Sequence, residues 1–326
     1  MKDVGLAGLP QSGKSTLFTA LTHAGALGGR ASQAVVPVPD PRLAVLAELE
    51  GSAKIVPAQV RFVDVPGGLS AQSLAGLRET HALALVVGAF RGDGDPAAEL
   101  ASVRAELLLA DLALLEGAEE RAAKRARKDP DAAASVEALA RAREALEAER
   151  PLRDAGLSEQ DRVALRDFGM LSLKPWVTIA NLEEGEAIPD GLPEGTVGVY
   201  AAIEAEVAEM DADEAKALLE EFGVQEQGLE SVIAASYAAL DLITFLTTGE
   251  DETRAWQVRR GARAPEAAGV IHSDLERGFI RAEVIHYDEL VAAGSEKEAK
   301  SRGLVRTEGK TYEVREGDVI NVLFSV

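Results

Sequence analysis

The chain has 326 residues, 47% of them hydrophobic, and a formal net charge of −21, which is long enough for two or three domains with cores of their own. Cysteine is absent, so a disulfide framework, a thiolate zinc site and a cysteine nucleophile are excluded, and any metal is expected on oxygen ligands. The acidic balance opposes broad binding to DNA, and with no run of about 18 apolar residues and no signal-peptide layout behind Met1-Lys2-Asp3 a cytoplasmic protein without a membrane span is expected.

Lys2 to Ala7 reads as a strand that stops at Gly8, and Leu17, Phe18 and Leu21 recur behind it at helical spacing. Between them, Gly8-Leu9-Pro10-Gln11-Ser12-Gly13-Lys14-Ser15 satisfies the phosphate-loop pattern in the strand-to-helix context that the pattern requires. Such a loop turns its backbone N–H groups around an anion, the following helix adds its positive N-terminal end, and the lysine ammonium reaches the phosphates. Gly8, Pro10, Gln11, Ser12, Gly13, Lys14, Ser15 and Thr16 are the phosphate-side candidates, Lys14 also stabilising developing charge, and Ser15 offers a hydroxyl to Mg²⁺.

Val60 to Val65 reads as a second strand, and in Asp64-Val65-Pro66-Gly67 an aspartate at a strand end can hold Mg²⁺ while Gly67 presents its N–H to a γ-phosphate. The order of this motif behind the phosphate loop is that of GTPase-like switch proteins. Leu83 to Val87, Pro175 to Ala180 and Val197 to Ala201 are further short apolar runs, as expected of a mostly parallel sheet covered on both faces.

From about Pro96 to Arg150 the chain is rich in Ala, Leu, Glu and Arg with a break at Asp129-Pro130-Asp131, which predicts an antiparallel helical hairpin. Val103, Leu107, Leu108, Leu112 and Leu115 on one arm and Val136, Leu139 and Leu146 on the other are expected to cover each other. Arg121, Lys124, Arg125, Arg127 and Lys128 gather positive charge toward its tip, as a solvated helix end or as an RNA or ribosome contact.

Asn181-Leu182-Glu183-Glu184 follows the run ending at Ala180, where a GTPase carries Asn-Lys-x-Asp. The longer glutamate carboxylate does not hold the two guanine donors in the same place, which argues against guanine readout. Asn181, Leu182 and Glu184, with Ala201 and Ala202, are the base-side candidates. Beyond Met210 a helical stretch is expected to about Leu240, followed by strands at Ile243 to Leu246, Ala255 to Val258, Ile280 to Ile285, Thr311 to Val314 and Val319 to Phe324. His81, His272 and His286 are read as hydrogen-bonded structural residues, and Trp256 and Phe279 as core aromatics.

The chain resembles the YchF/Obg-like ATPase family through Gly8-Leu9-Pro10 with Gly13-Lys14-Ser15-Thr16, through Val36-Pro37-Val38-Pro39-Asp40-Pro41-Arg42-Leu43, and through Lys174-Pro175 leading to Asn181 and Glu184. The likeness extends to Arg254-Ala255-Trp256, Ala264 to Gly269, Ile271-His272-Ser273-Asp274, Gly278 to Glu283, and Glu308-Gly309-Lys310 through Gly317-Asp318-Val319. The resemblance implies an α/β P-loop NTPase fold of the GTPase-like kind, with an inserted antiparallel helical hairpin and a C-terminal α+β TGS domain of β-grasp type. It also implies Mg²⁺ with ATP preferred to GTP, slow hydrolysis, and association with the ribosome through the hairpin tip and the TGS domain.

The expected boundaries are 1–95 and 168–240 for the two parts of the nucleotide domain, 96–167 for the helical insertion and 241–326 for the TGS domain. Two segments are shorter than the family pattern: His23 to Ala34, where only Ser32 stands in for a switch threonine, and the stretch from Gly68 to Leu77. His81 follows the second of these and takes no catalytic role, so the water-positioning residue is unassigned. Binding without turnover, and a guanine-specific GTPase of the Obg class, stay open beside the slow ATPase.

Overall fold

The computed structural model describes residues 2–23, 33–65, 67–92, 94–127, 133–208, 210–222, 224 and 228–325. Its internal contacts separate two compact units, one made of Met1–Val36 with Val60–Leu240 and the other of Pro37–Gln59 with Asp241–Val326. Ser32, Pro66, Lys128 and the Asp129-Pro130-Asp131 break lie outside the described residues.

In chain order, β1 (Lys2–Ala7), α1 (Lys14–His23) and β2 (Gln33–Pro37) are followed by α2 (Arg42–Glu50) and β3 (Ile55–Val56), which belong to the second unit. Next come β4 (Gln59–Asp64), α3 (Ala71–Arg78), β5 (Ala82–Ala89), α4 (Pro96–Ala126), α5 (Ala133–Glu147), α6 (Glu159–Leu165), β6 (Trp176–Leu182), β7 (Val197–Val199), α7 (Ala201–Val207), α8 (Ala212–Glu221) and α9 (Gly228–Ala239). The first unit's sheet has the order β2-β4-β1-β5-β6-β7, and β4, β1, β5, β6 and β7 pair in parallel. Residues Ala82 to Gly88 of β5 are buried without interruption, the pattern of a parallel strand covered on both faces. Parallel pairing brings the C-terminal ends of β1, β4, β5 and β6 to one edge, where open α/β sheets form their ligand crevice.

The helical hairpin forms, with α4 started by Pro96 in its first turn and by the Asp95 carboxylate accepting from the Ala98 N–H at 2.9 Å. Leu108, Leu115, Leu139 and Leu146 are buried between its arms with Leu112 and Val136 against them, and Arg143 closes a bidentate pair on Glu119 at 2.8 and 2.6 Å. Val103 and Leu107 depart from the expected pairing. They pack with Leu83, Leu85 and Val87 of β5, because the first turns of this 31-residue helix lie on the sheet. At that junction the fully buried Asp111 accepts from Arg78 Nη1 at 2.7 Å, from the Leu171 and Ser172 N–H groups at 2.9 and 2.7 Å, and from Ser172 Oγ at 2.7 Å. Such a carboxylate is tolerated in a core because its lone pairs are taken and its charge is matched.

The second unit adds β8 (Leu242–Thr247), β9 (Thr253–Arg259), α10 (Ala264–Ile271), α11 (Ser273–Arg277), β10 (Phe279–His286), α12 (Tyr287–Ala293), α13 (Glu296–Ser301), β11 (Arg306–Glu308) and β12 (Asp318–Phe324). Its sheet runs β11-β10-β12-β8-β9-β3, mixing antiparallel pairs with parallel β12–β8 and β3–β9. Ala264, Ala267 and Ala268 of α10 pack with Phe245, Val258, Phe279 and Val284 in one core. Trp256 rests against that core and stacks on Phe245 at 6.5 Å. His272 and His286 accept the N–H groups of Asp274 and Asp288 at 3.2 and 3.3 Å and so cap α11 and α12.

One grouping and one strand differ from the sequence reading. Residues 37–59, expected within the first part of the nucleotide domain, group with 241–326. Ile55 and Val56 pair with Thr253 and Arg254, Ser52 Oγ donates to the Gly249 carbonyl at 2.6 Å, and Arg42 bridges Asp40 and Glu316, each at 2.7 Å. Thr311 to Val314, expected as a strand, makes only an isolated antiparallel bridge, Glu313 with Arg263, flanked by the Ala264 N–H to the Tyr312 carbonyl and the Val314 N–H to the Ala262 carbonyl, while Tyr312 Oη donates to the buried Asp318 at 2.7 Å. The strand beside β10 is Arg306–Glu308 instead. No helix among the described residues is long and apolar enough to cross a membrane.

Candidate functional site

The loop between β1 and α1 holds two residues in the left-handed region, Gln11 at φ 68° and Gly13 at φ 88°. For glutamine that conformation carries strain, which persists where the surroundings impose it. Gly8 is required by space: a Cβ there would lie 2.4 Å from the Val86 carbonyl oxygen and 2.8 Å from Ser12 Oγ. At Gly13 a Cβ would lie 2.0 Å from Asn181 Nδ2.

Lys14 is the first residue of α1, and its Nζ donates to the carbonyl oxygens of Gly8 at 2.9 Å and Leu9 at 2.7 Å. Burial lowers its affinity for the proton, while Asp64 and Glu99 oppose that effect. Asp64, the last residue of β4, is raised above the ordinary carboxylate range by burial, offset by Lys14 and by a hydrogen bond with Ser15. Two oxygen donors, Ser15 Oγ and the Asp64 carboxylate, thus meet beside an ammonium, a donor set that suits the hard cation Mg²⁺. Thr16 follows on α1 and is exposed. Gly67 sits at φ 101° in the turn after β4, and a Cβ on its neighbour Gly68 would touch Pro10 at 3.5 Å.

Asn181 reaches the loop from the far side. Its Nδ2 donates to the Ser12 carbonyl oxygen at 3.5 Å, and its Oδ1 accepts the N–H of Ala201 at 3.2 Å. The start of α7 is held in turn by the buried Glu204, which accepts the N–H groups of Tyr200 at 3.1 Å and Leu229 at 2.8 Å. Of the other base-side candidates, Leu182 is buried with its Cδ1 directed at Gly198, Ala202 is exposed on α7, and Glu184 is half-buried in the loop after β6.

Three residues that sequence reasoning passed over stand at the end of β5. Phe90 Cε1 lies 3.6 Å from a Cβ built at Gly13, and the Glu99 carboxylate accepts the Gly88 N–H at 3.2 Å and Arg91 Nη2 at 3.1 Å. Glu99 Oε1 and Arg91 Nε are buried without a hydrogen-bond partner. The signal available was Asp95-Pro96, a helix start that puts Glu99 in the first turn beside the strand end. His81 is remote from this cluster, since its Nδ1 accepts the N–H of Asp3 at the opposite end of β1.

A family model named YchF-GTPase_C, described as "Protein of unknown function (DUF933)", matches residues 242–325. The chain is 40% identical over 361 residues to the "Ribosome-binding ATPase YchF" of Bacillus subtilis and 39% identical over 358 residues to that of Escherichia coli O157:H7, with 99% of each chain covered in both cases. Since the first alignment extends over 361 residues and this chain has 326, part of that relative has no counterpart here. The solved structure of the Schizosaccharomyces pombe YchF GTPase superposes with a TM-score of 0.87 at 26% identity, covering 99% of this chain and 97% of that one. The P-loop architecture and a full-length likeness at this level place the chain in the YchF family.

Proposed function

We propose that this protein is a cytoplasmic nucleotide-dependent switch that binds ATP with Mg²⁺, hydrolyses it slowly and works on the ribosome. The observation that carries the reading is the meeting of Lys14, the Ser15–Asp64 pair and Asn181 around one loop. Gly8 to Thr16 and Gly67 would take the phosphates, and Asn181 with Glu184 would face the base, whose Asn-x-x-Glu pattern departs from the guanine-reading one. The relatives carry the name ribosome-binding ATPase, which supports both the nucleotide and the partner.

Ser15 and Asp64 would hold Mg²⁺, which when bound neutralises charge on the phosphates. Lys14 exchanges the carbonyls of Gly8 and Leu9 for phosphate oxygens, and the loop N–H groups stabilise the charge that develops when water attacks the γ-phosphorus and the bond to the β-phosphate oxygen breaks. His81 lies at the opposite end of β1 from the loop, and with positioning and electrostatics as the assigned contributions turnover is expected to be slow. The tip residues Arg121, Lys124, Arg125 and Arg127 supply a local basic surface for ribosomal RNA on an otherwise acidic chain.

Single-turnover hydrolysis of ATP tests this reading against its rival, a nucleotide-binding adaptor without turnover. Phosphate release above background at a rate that Lys14→Ala removes supports the switch. Tight binding with release at background supports the adaptor, which the short segments His23 to Ala34 and Gly68 to Leu77 motivate.

A further inference from the structure

A second site lies at the other end of the parallel sheet. β5 begins at Ala82 and β6 at Trp176, so His81 and Lys174 stand at strand starts, whereas the phosphate loop, Asp64, Gly88 and Asn181 stand at strand ends. Around those starts is a cavity of about 430 Å³ whose lining includes Arg78, His81, Arg162, Arg166 and Lys174, with Glu159 as a carboxylate at the same wall. In a chain of net charge −21 this grouping of cations needs a physical account.

Structure explains only part of it. Arg78 is neutralised by Asp111 and also donates to the Gly169 carbonyl at 3.0 Å. Lys174 Nζ donates to the carbonyl oxygens of Arg78, at 2.7 Å, and of Thr80, which fixes the ammonium without cancelling its charge. Arg162 is aimed in the same way by the carbonyls of Leu157 at 3.3 Å and Arg153 at 3.4 Å. Arg166 is exposed at the rim, and its guanidinium makes no hydrogen bond or ion pair among the described residues. His81 accepts the Asp3 N–H on Nδ1, so the neutral ring carries its proton on Nε2 and is a donor there.

Electrostatics agree with this accounting. Burial lowers His81, and Lys2, Lys174 and the N-terminus lower it further against Asp3. Lys174 is pushed down to about 8 by burial, with Arg78 adding repulsion and Glu79 and Asp111 opposing it. Fixed donors of one sign, held by neutral carbonyls, are the arrangement that recognises an anion.

We propose that this cavity is a second anion site, which takes a small phosphorylated anion on Lys174, Arg162, Arg166 and His81. The concave volume is that of a small-molecule site, and the acidic surface opposes tracking of a nucleic-acid backbone.

The test uses the full chain carrying Lys14→Ala, so that the phosphate loop does not contribute, titrated with inorganic pyrophosphate by calorimetry while the His81 imidazole protons are followed by NMR. The site requires binding that Arg162→Gln with Arg166→Gln weakens at least tenfold, together with an upward shift of the His81 pKa on binding that the double variant lacks. Arg166→Gln alone, which removes an exposed side chain and leaves the core intact, should weaken binding several-fold and guards against a folding defect. Equal affinity in the parent and the double variant, or no binding, overturns the proposal. Retention of a single-stranded RNA oligomer through Arg162 and Arg166 without pyrophosphate binding overturns it in favour of a nucleic-acid contact.

Discussion

Asn181 donates its side-chain Nδ2 to the carbonyl oxygen of Ser12 across 169 residues of sequence, at 3.5 Å. The same amide accepts the Ala201 N–H, so one buried side chain ties the loop after β1 to the starts of α7 and the end of β6. Asn181→Ala leaves a buried N–H unpaired, at a cost of about 1–3 kcal/mol. Calorimetry on a folded variant should show ATP affinity reduced about 10-fold or more, and an unchanged affinity would remove Asn181 from the site.

Asp111 predicts stability. Its carboxylate, fully buried, joins α4 to the partly buried Arg78 and to the buried Leu171–Ser172 backbone. Asp111→Ala leaves the Arg78 guanidinium and two N–H groups unmatched, and breaking a buried pair of this kind costs about 3–5 kcal/mol. Urea unfolding of the variant should show a midpoint far below that of the parent, and a loss under about 1 kcal/mol would contradict the junction described here.

Lys174 predicts a pH dependence. Its folded value is about 8 against an ordinary 10.5, so between pH 8 and 10 the unfolded chain holds a proton that the folded chain has released. Stability from this group therefore rises as pH rises through that window. Lys174→Met should flatten the rise in denaturation midpoint between pH 8 and 10, and an equal rise in both proteins would show that burial does not depress this lysine.

The hairpin tip predicts where the partner touches. Arg125→Glu with Arg127→Glu reverses charge on exposed side chains beyond the packed part of α4. Ribosome co-sedimentation should fall and should become less dependent on salt, whereas undiminished co-sedimentation would assign the contact elsewhere.

The phosphate loop was legible because its chemistry demands glycines, a lysine and a hydroxyl at fixed spacing, and the strands of the parallel sheet because burial on both faces leaves continuous apolar runs such as Leu83 to Val87. Other features depend on partners distant in sequence. Nothing in Ile55-Val56 announces that it pairs with Thr253-Arg254, and the stripe containing Val103 and Leu107 does not say whether a helix or a sheet covers it. Thr311 to Val314 alternates like a strand, yet only Glu313 pairs, in a single bridge with Arg263.

At the site, Lys14, Asp64 and Asn181 were readable from spacing. Phe90, Arg91 and Glu99 were not, since no short motif marks them and only the close approach of β5 to Gly13 and Ser12 brings them to the loop. Leu182, adjacent in sequence to Asn181, turns to the opposite side because successive strand residues alternate.

The most direct measurement is calorimetric titration of the parent chain and of Lys14→Ala with ATP and with GTP in Mg²⁺. The account predicts that the parent binds ATP more tightly than GTP and that Lys14→Ala weakens ATP binding about 100-fold or more. Tighter binding of GTP would contradict the reading of the base side, and ATP binding indifferent to Lys14→Ala would contradict the nucleotide site itself.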